Sequence, residues 1–182
     1  GLSSFQLENY NESINYFLSG LPFITSKELR SQLFMYLGDS YYKTKEFSKC
    51  YHFFDKSIST DPSNSAALNN YSYYLSLSKD SLSKALEMTI ISNKLSPKNF
   101  IYLDTYAWVL FKMQKFDEAF EKIQEAYNNG GDKTGEIVEH FGDILFKLGQ
   151  TSRAIDMWIK ARNLGIKTDL LNSKITKQTY LE

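Results

Sequence analysis

Few residues in this chain could carry acid–base, nucleophilic or metal chemistry. His52 and His140 are the only histidines, and Cys50 is the only cysteine. One cysteine permits no internal disulfide. His140 has Glu139 beside it and Glu136 and Asp143 one helical turn away, so carboxylates surround a single imidazole. No second His or Cys joins them, as a closed structural metal site requires. Gly130-Gly131 is not followed by the Lys-Ser or Lys-Thr of a phosphate-cradling loop. No Ser or Cys has a histidine at a spacing that suggests an activated nucleophile, and two histidines leave little room for proton-transfer catalysis. The expectation is a non-enzyme with no catalytic residues, no metal and no cofactor.

Composition narrows the classes further. Of 182 residues, 42% are hydrophobic, enough for one domain with a sizeable core, and Tyr and Phe are abundant at 13 each. Lys and Arg number 21, as do Asp and Glu, for a formal charge of zero. A nucleic-acid surface normally carries a basic excess, so no nucleic-acid partner is expected. Arg30, Arg153 and Arg162 are the only arginines, which leaves few bidentate clamps for phosphate or carboxylate. No apolar run approaches the roughly 18 residues of a membrane span, and the chain opens on no signal-peptide pattern.

The elements that position these residues are set by a repeat. Leu37-Gly38, Tyr41, Cys50, Phe54 and Pro62 have a fixed spacing that recurs at Tyr106-Ala107, Leu110, Ala119, Ile123 and Gly131. Phe141-Gly142, Leu145, Ala154 and Trp158 repeat it again. Tyr71-Ser72, Leu75, Ala85 and Pro97 fit once one residue is inserted, near Asp80-Ser81. Apolar residues three, four and seven apart, such as Phe34, Leu37 and Tyr41, lie on one helix face. Each repeat therefore reads as two antiparallel helices, A then B, that bury their faces only by stacking. Asp61-Pro62-Ser63-Asn64 and Ser96-Pro97-Lys98-Asn99 end one helix and cap the next. Gly130-Gly131 does the same, Gly149 closes a helix A, and Thr151 is placed to cap the following helix B. Cys50 occupies the small-residue slot that Ala85, Ala119 and Ala154 fill elsewhere, so it reads as a packing residue.

A period of about 34 residues with these aromatic, small and Pro positions resembles the tetratricopeptide repeat. The resemblance covers essentially the whole chain and implies an all-α, right-handed α-solenoid of antiparallel helix pairs. Repeats are expected at 31–64, 65–99, 100–134 and 135–168. Residues 169–182 read as a C-terminal capping helix with Leu171, Ile175 and Leu170 inward. Residues 1–30 read as the end of a helix A, a helix B and a loop, because Gly1, Phe5, Tyr10, Ser13 and Phe17 align with Gly38, Tyr42, Phe47, Cys50 and Phe54. This start is expected to be a truncated leading repeat of a longer bacterial protein, with an uncapped N-terminal face open to self-association. Leu68 to Tyr74 and Leu103 to Trp108 are similar to repeat regions of Bacteroidetes proteins, several of them envelope lipoproteins. Location is left open between cytoplasm and periplasm.

In this family helices A line a concave groove, and certain positions on them touch ligand. Carried over, these positions give Tyr36, Asp39 and Tyr42, then Asn69, Asn70 and Tyr73. Asp104, Thr105, Trp108 and Phe111 follow, and Glu139, His140, Asp143 and Phe146 complete the set. Aromatic rings offer contact area at low entropic cost, amides can pair with a peptide backbone, and the acids would suit a basic partner residue. The lining lacks the Lys, Asn and Arg set that clamps chaperone C-termini. Asn70 alone falls on such a position, and Met35, Asp39, Ile101 and Thr105 hold the others. A base-reading pentatricopeptide array is opposed by the neutral charge. The expected function is a scaffold that binds a protein or peptide partner in the groove; the alternative is a regulatory or targeting module of a larger protein.

Overall fold

The computed structural model describes residues 1–78 and 81–181. Asp80, at the insertion in repeat two, and Glu182, at the end of the expected capping segment, lie outside them. Among the described residues the fold is all-α, with no strand. Its helices are α1 (Leu2–Gln6), α2 (Tyr10–Gly20), α3 (Lys27–Lys43), α4 (Phe47–Thr60), α5 (Ser65–Ser78), α6 (Leu82–Leu95), α7 (Phe100–Lys112), α8 (Phe116–Asn128), α9 (Gly135–Lys147), α10 (Thr151–Asn163) and α11 (Asp169–Lys177). None of them is long and apolar enough to cross a membrane. The chain divides inside α5 into two compact units, Gly1–Tyr74 and Leu75–Glu182.

In the first unit α2 packs on α3 and α3 on α4. α3 and α4 come close at Gly38, where an added Cβ would lie 2.7 Å from the Phe54 ring. Gly1 stands in the same relation to Phe17, at 2.6 Å. Leu37, Cys50 and Phe54 are wholly buried around this contact, and burial pushes the Cys50 thiol up to about 12. Buried hydroxyls tie the helices together. Ser31 Oγ donates to the Ser57 carbonyl (2.9 Å), and Ser57 Oγ donates back to the Ser31 carbonyl (2.8 Å). Asn64 donates to Ser31 Oγ (2.9 Å), while its own side-chain oxygen accepts from the Ala67 N–H (3.0 Å), so one residue caps α5 and closes the cluster.

In the second unit α7 pairs with α8 and α9 with α10. A Cβ on Gly142 would meet the Trp158 indole at 2.5 Å. At the matching place in α7 and α8, Ala107 and the smaller Ile123 are both fully buried. The pair is thus size-compensated: glycine where the partner is a ring, alanine where it is isoleucine. Asn99 caps α7 by accepting from the Ile101 N–H (3.0 Å), and Thr168 caps α11 through the Leu171 N–H (3.1 Å).

Two local expectations are corrected. Thr151 is the first residue of α10 and does not cap it; Gln150 precedes it without a side-chain cap. On α11, Leu171 is fully buried, Ile175 is half-buried and Leu170 is exposed. Leu170 is rotated about 100° from Leu171, and the residue sharing Leu171's face is Lys174, buried through its ion pairs. The turns between helices A and B reuse one conformation. Glu8, Lys45, Gln114 and Gly149 all have positive φ, between 59° and 76°. Only the last is the glycine that this region favours.

Gly38→Ala and Gly142→Ala are each expected to lower unfolding free energy by about 1–3 kcal/mol, as overpacked core sites do. Gly20→Ala should leave stability unchanged or raise it, because a Cβ there meets nothing within 4 Å. Urea unfolding followed by circular dichroism measures all three.

Candidate functional site

The candidate residues sit on the helices A, and each unit holds its own group. In the first unit Asp39 of α3 is 6% exposed and accepts from Asn70 Nδ2 (3.3 and 3.2 Å) and Tyr74 Oη (3.0 Å). Burial raises the Asp39 carboxyl from 3.8 to about 6, against the opposing pull of the Tyr74 and Asn70 bonds. The Tyr74 phenol is pushed well up by burial and by the neighbouring Asp39. Tyr42 stacks on Tyr74 with centroids 3.7 Å apart. Tyr36 is packed against Phe5 (5.4 Å, edge-on) and Phe17 (5.7 Å, stacked). Asn69 donates to Asn70 Oδ1 (3.3 Å), while its own Oδ1 is buried without a partner. Tyr73 is half-buried beside Tyr74.

In the second unit the rings form one stack. His140 of α9 lies on Trp108 of α7 (4.1 Å, 19°), and Trp108 lies on Phe111 (5.0 Å, 10°). Lys112 Nζ is 4.7 Å from the Trp108 ring. His140 Nδ1 is 2.9 Å from Asp104 Oδ1. Burial lowers the His140 pKa, but the Asp104 charge and hydrogen bond, with Asp143 and Glu139, outweigh it and leave the imidazole above its ordinary value. Thr105 turns inward to the Ile101 carbonyl (3.2 Å). Phe146 packs on Trp158 (5.7 Å). Trp108 Nε1 is buried and has no partner among the described residues.

The acids are engaged within the chain. Lys174 of α11 donates to Glu139 (2.8 Å) and to both Asp143 oxygens (2.9 and 2.8 Å), and Trp158 Nε1 donates to Asp143 (2.9 Å). Burial still holds the Asp143 carboxyl above its usual range, with Lys174 pulling the other way. A pattern recurs inside each unit: Asn70 of α5, His140 of α9 and Lys174 of α11 occupy equivalent places, and each reaches back to an acid on the helix A before its own, whereas Thr105 holds that place on α7. Tyr74, Lys174 and Tyr180 were absent from the sequence-based set. Carrying the period past residue 168 would have found two of them, since His140 leads to Lys174 and Phe146 to Tyr180. No group of three or more His, Cys, Asp or Glu residues among those described is arranged to hold a metal.

Helix pairs closed by a small residue against a large one, with this register, define an α-solenoid of the tetratricopeptide type. No family model matches the chain, and no curated protein matches it in sequence. Solved structures do. PilW, a widely conserved type IV pilus biogenesis factor, is 15% identical with a TM-score of 0.82, over 97% of this chain and 81% of its own. Pseudomonas aeruginosa PilF gives 18% and 0.80, over 97% and 80%. The thermophilic tetratricopeptide protein TTC0263 of Thermus thermophilus gives 14% and 0.77, over 98% and 94%. At these identities the likeness establishes the fold.

Asp39 supplies a pH test. Its folded value is raised, so its contribution to stability is complete below about pH 4 and is lost as the pH rises through about 6. Asp39→Asn should remove that part of the pH dependence. The variant-minus-wild-type difference in Tm should grow more positive between pH 4 and 7, as read by thermal melts in matched buffers.

Proposed function

We propose that this chain is a non-enzymatic protein-interaction scaffold that holds an extended peptide or a partner helix against its helices A. The observation that carries the reading is the His140–Trp108–Phe111 stack on α7 and α9, with a buried indole N–H that finds no acceptor among the described residues. A buried unpaired donor costs about 1–3 kcal/mol, so a partner segment that opens the stack and brings a carbonyl to it would recover that cost. Stacked rings held rigid by their neighbours are what binding hot spots are made of. The carboxylates of α3, α7 and α9 have partners inside the chain, so recognition on this reading rests on rings and amides more than on charge. The tetratricopeptide fold of the neighbours is consistent with this role, although a fold alone does not assign a partner.

The test is affinity capture from lysate with the full chain as bait, beside a Tyr73→Ala/Trp108→Ala/Phe111→Ala variant and the single Tyr73→Ala variant, each checked for retained helicity. A specific partner should be lost from the folded triple variant, with affinity down about 100-fold or more, the scale of two or more hot-spot residues. Capture equal in wild type and triple variant would contradict the reading.

A further inference from the structure

The chain already holds an aromatic side chain against this face. After Lys177 the backbone reverses through Gln178 in the left-handed region (φ 52°), and the Thr179 N–H returns to the Lys174 carbonyl (3.3 Å). That reversal brings Tyr180 back over α7 and α9. Its ring sits edge-on to Phe111 (5.7 Å, 64°), with Lys147 Nζ 4.3 Å and Lys174 Nζ 5.5 Å from its centroid.

Two walls of this cradle are fixed by contacts that do not involve Tyr180. Phe111 is held by the Trp108 stack and by Phe116 (5.5 Å, edge-on). Lys174 is pinned by Glu139 and Asp143. The third wall, Lys147, is an exposed residue at the end of α9. Tyr180 itself is half-buried and lies beyond α11, in no regular element. Two ammonium groups facing a ring favour an electron-rich aromatic over an aliphatic of equal size.

We propose that Phe111, Lys147 and Lys174 form a subsite for an aromatic side chain, that Tyr180 fills it from within the chain, and that a protein partner enters by placing its own Tyr or Trp there. This deepens the scaffold reading and rests on it for the identity of the face. An internal occupant lowers the apparent affinity of any competitor by the fraction of time the site is filled. Tyr180 thereby sets a threshold that only a segment with further contacts overcomes.

The test uses the full chain as wild type and as Tyr180→Ala, titrated with N-acetyl-tyrosinamide and, separately, N-acetyl-leucinamide. The Trp108 indole N–H is followed by NMR. Tyrosinamide should bind the Tyr180→Ala chain at least about ten-fold more tightly than wild type, the signature of a vacated site. Leucinamide should be at least about ten-fold weaker on the same scale. Adding Lys147→Met, at an exposed position, should weaken tyrosinamide binding to the Tyr180→Ala chain without changing helicity. Equal affinity for wild type and Tyr180→Ala, equal response to the two amides, or no binding to Tyr180→Ala would each overturn the inference. Capture of a partner that ignores Tyr180→Ala and Lys147→Met would also overturn it, yet leave the scaffold reading standing. Loss of groove-dependent capture, with the amide results as expected, would remove the scaffold reading and leave the subsite.

Discussion

Helix A can lie against helix B only as closely as the residues between them allow, and nearly everything else here follows from how that gap is filled. Gly38 faces Phe54 and Gly142 faces Trp158, each at a separation that leaves no room for a methyl group. Where the ring is replaced by Ile123, the facing residue grows to Ala107. A larger residue on one side goes with a smaller one on the other, as a close-packed interior demands. Once that distance is set, the neighbouring buried residues Leu37, Leu110 and Leu145 fall into register, and the outward face of each helix A is determined.

The same spacing brings successive helices A near enough for polar side chains to reach across within each unit. Asn70 reaches Asp39, His140 reaches Asp104, and Lys174 reaches Asp143 and Glu139. Burying a carboxylate is costly unless it is paired. The raised values of Asp39 and Asp143 show that pairing offsets the cost only in part. These bonds therefore specify register more than they add stability. In the second unit the buried Trp108 ring stacks on both the His140 imidazole and the Phe111 ring.

Much of this architecture was legible in the residue spacing, because a repeat states each structural requirement several times. Small residues at the helix crossing, the capping Asn64 and Asn99, and the slot filled by Cys50 could be read from recurrence alone. Features that occur once, or that use an unexpected residue type, could not. Lys45 and Gln114 adopt a glycine-like conformation that their chemistry does not advertise. The reciprocal Ser31–Ser57 bonds join residues whose side chains are equally at home in solvent. Asp39 and Asp143 look like exposed groove acids until the donors on neighbouring elements, Tyr74 and Lys174 among them, are placed in space. Tyr180 lies past the last full repeat, where the pattern offers little guidance beyond its period.

A double-mutant cycle between Gly38→Ala and Phe54→Ile, read as unfolding free energies in urea, tests the size-compensation account most directly. Together the two changes install the Ala/Ile pairing that Ala107 and Ile123 already use. The double variant should be more stable than Gly38→Ala alone, with a favourable coupling of about 1 kcal/mol or more, as expected for residues in contact. Losses that simply add would contradict the claim that this one contact sets the spacing of the helix pair.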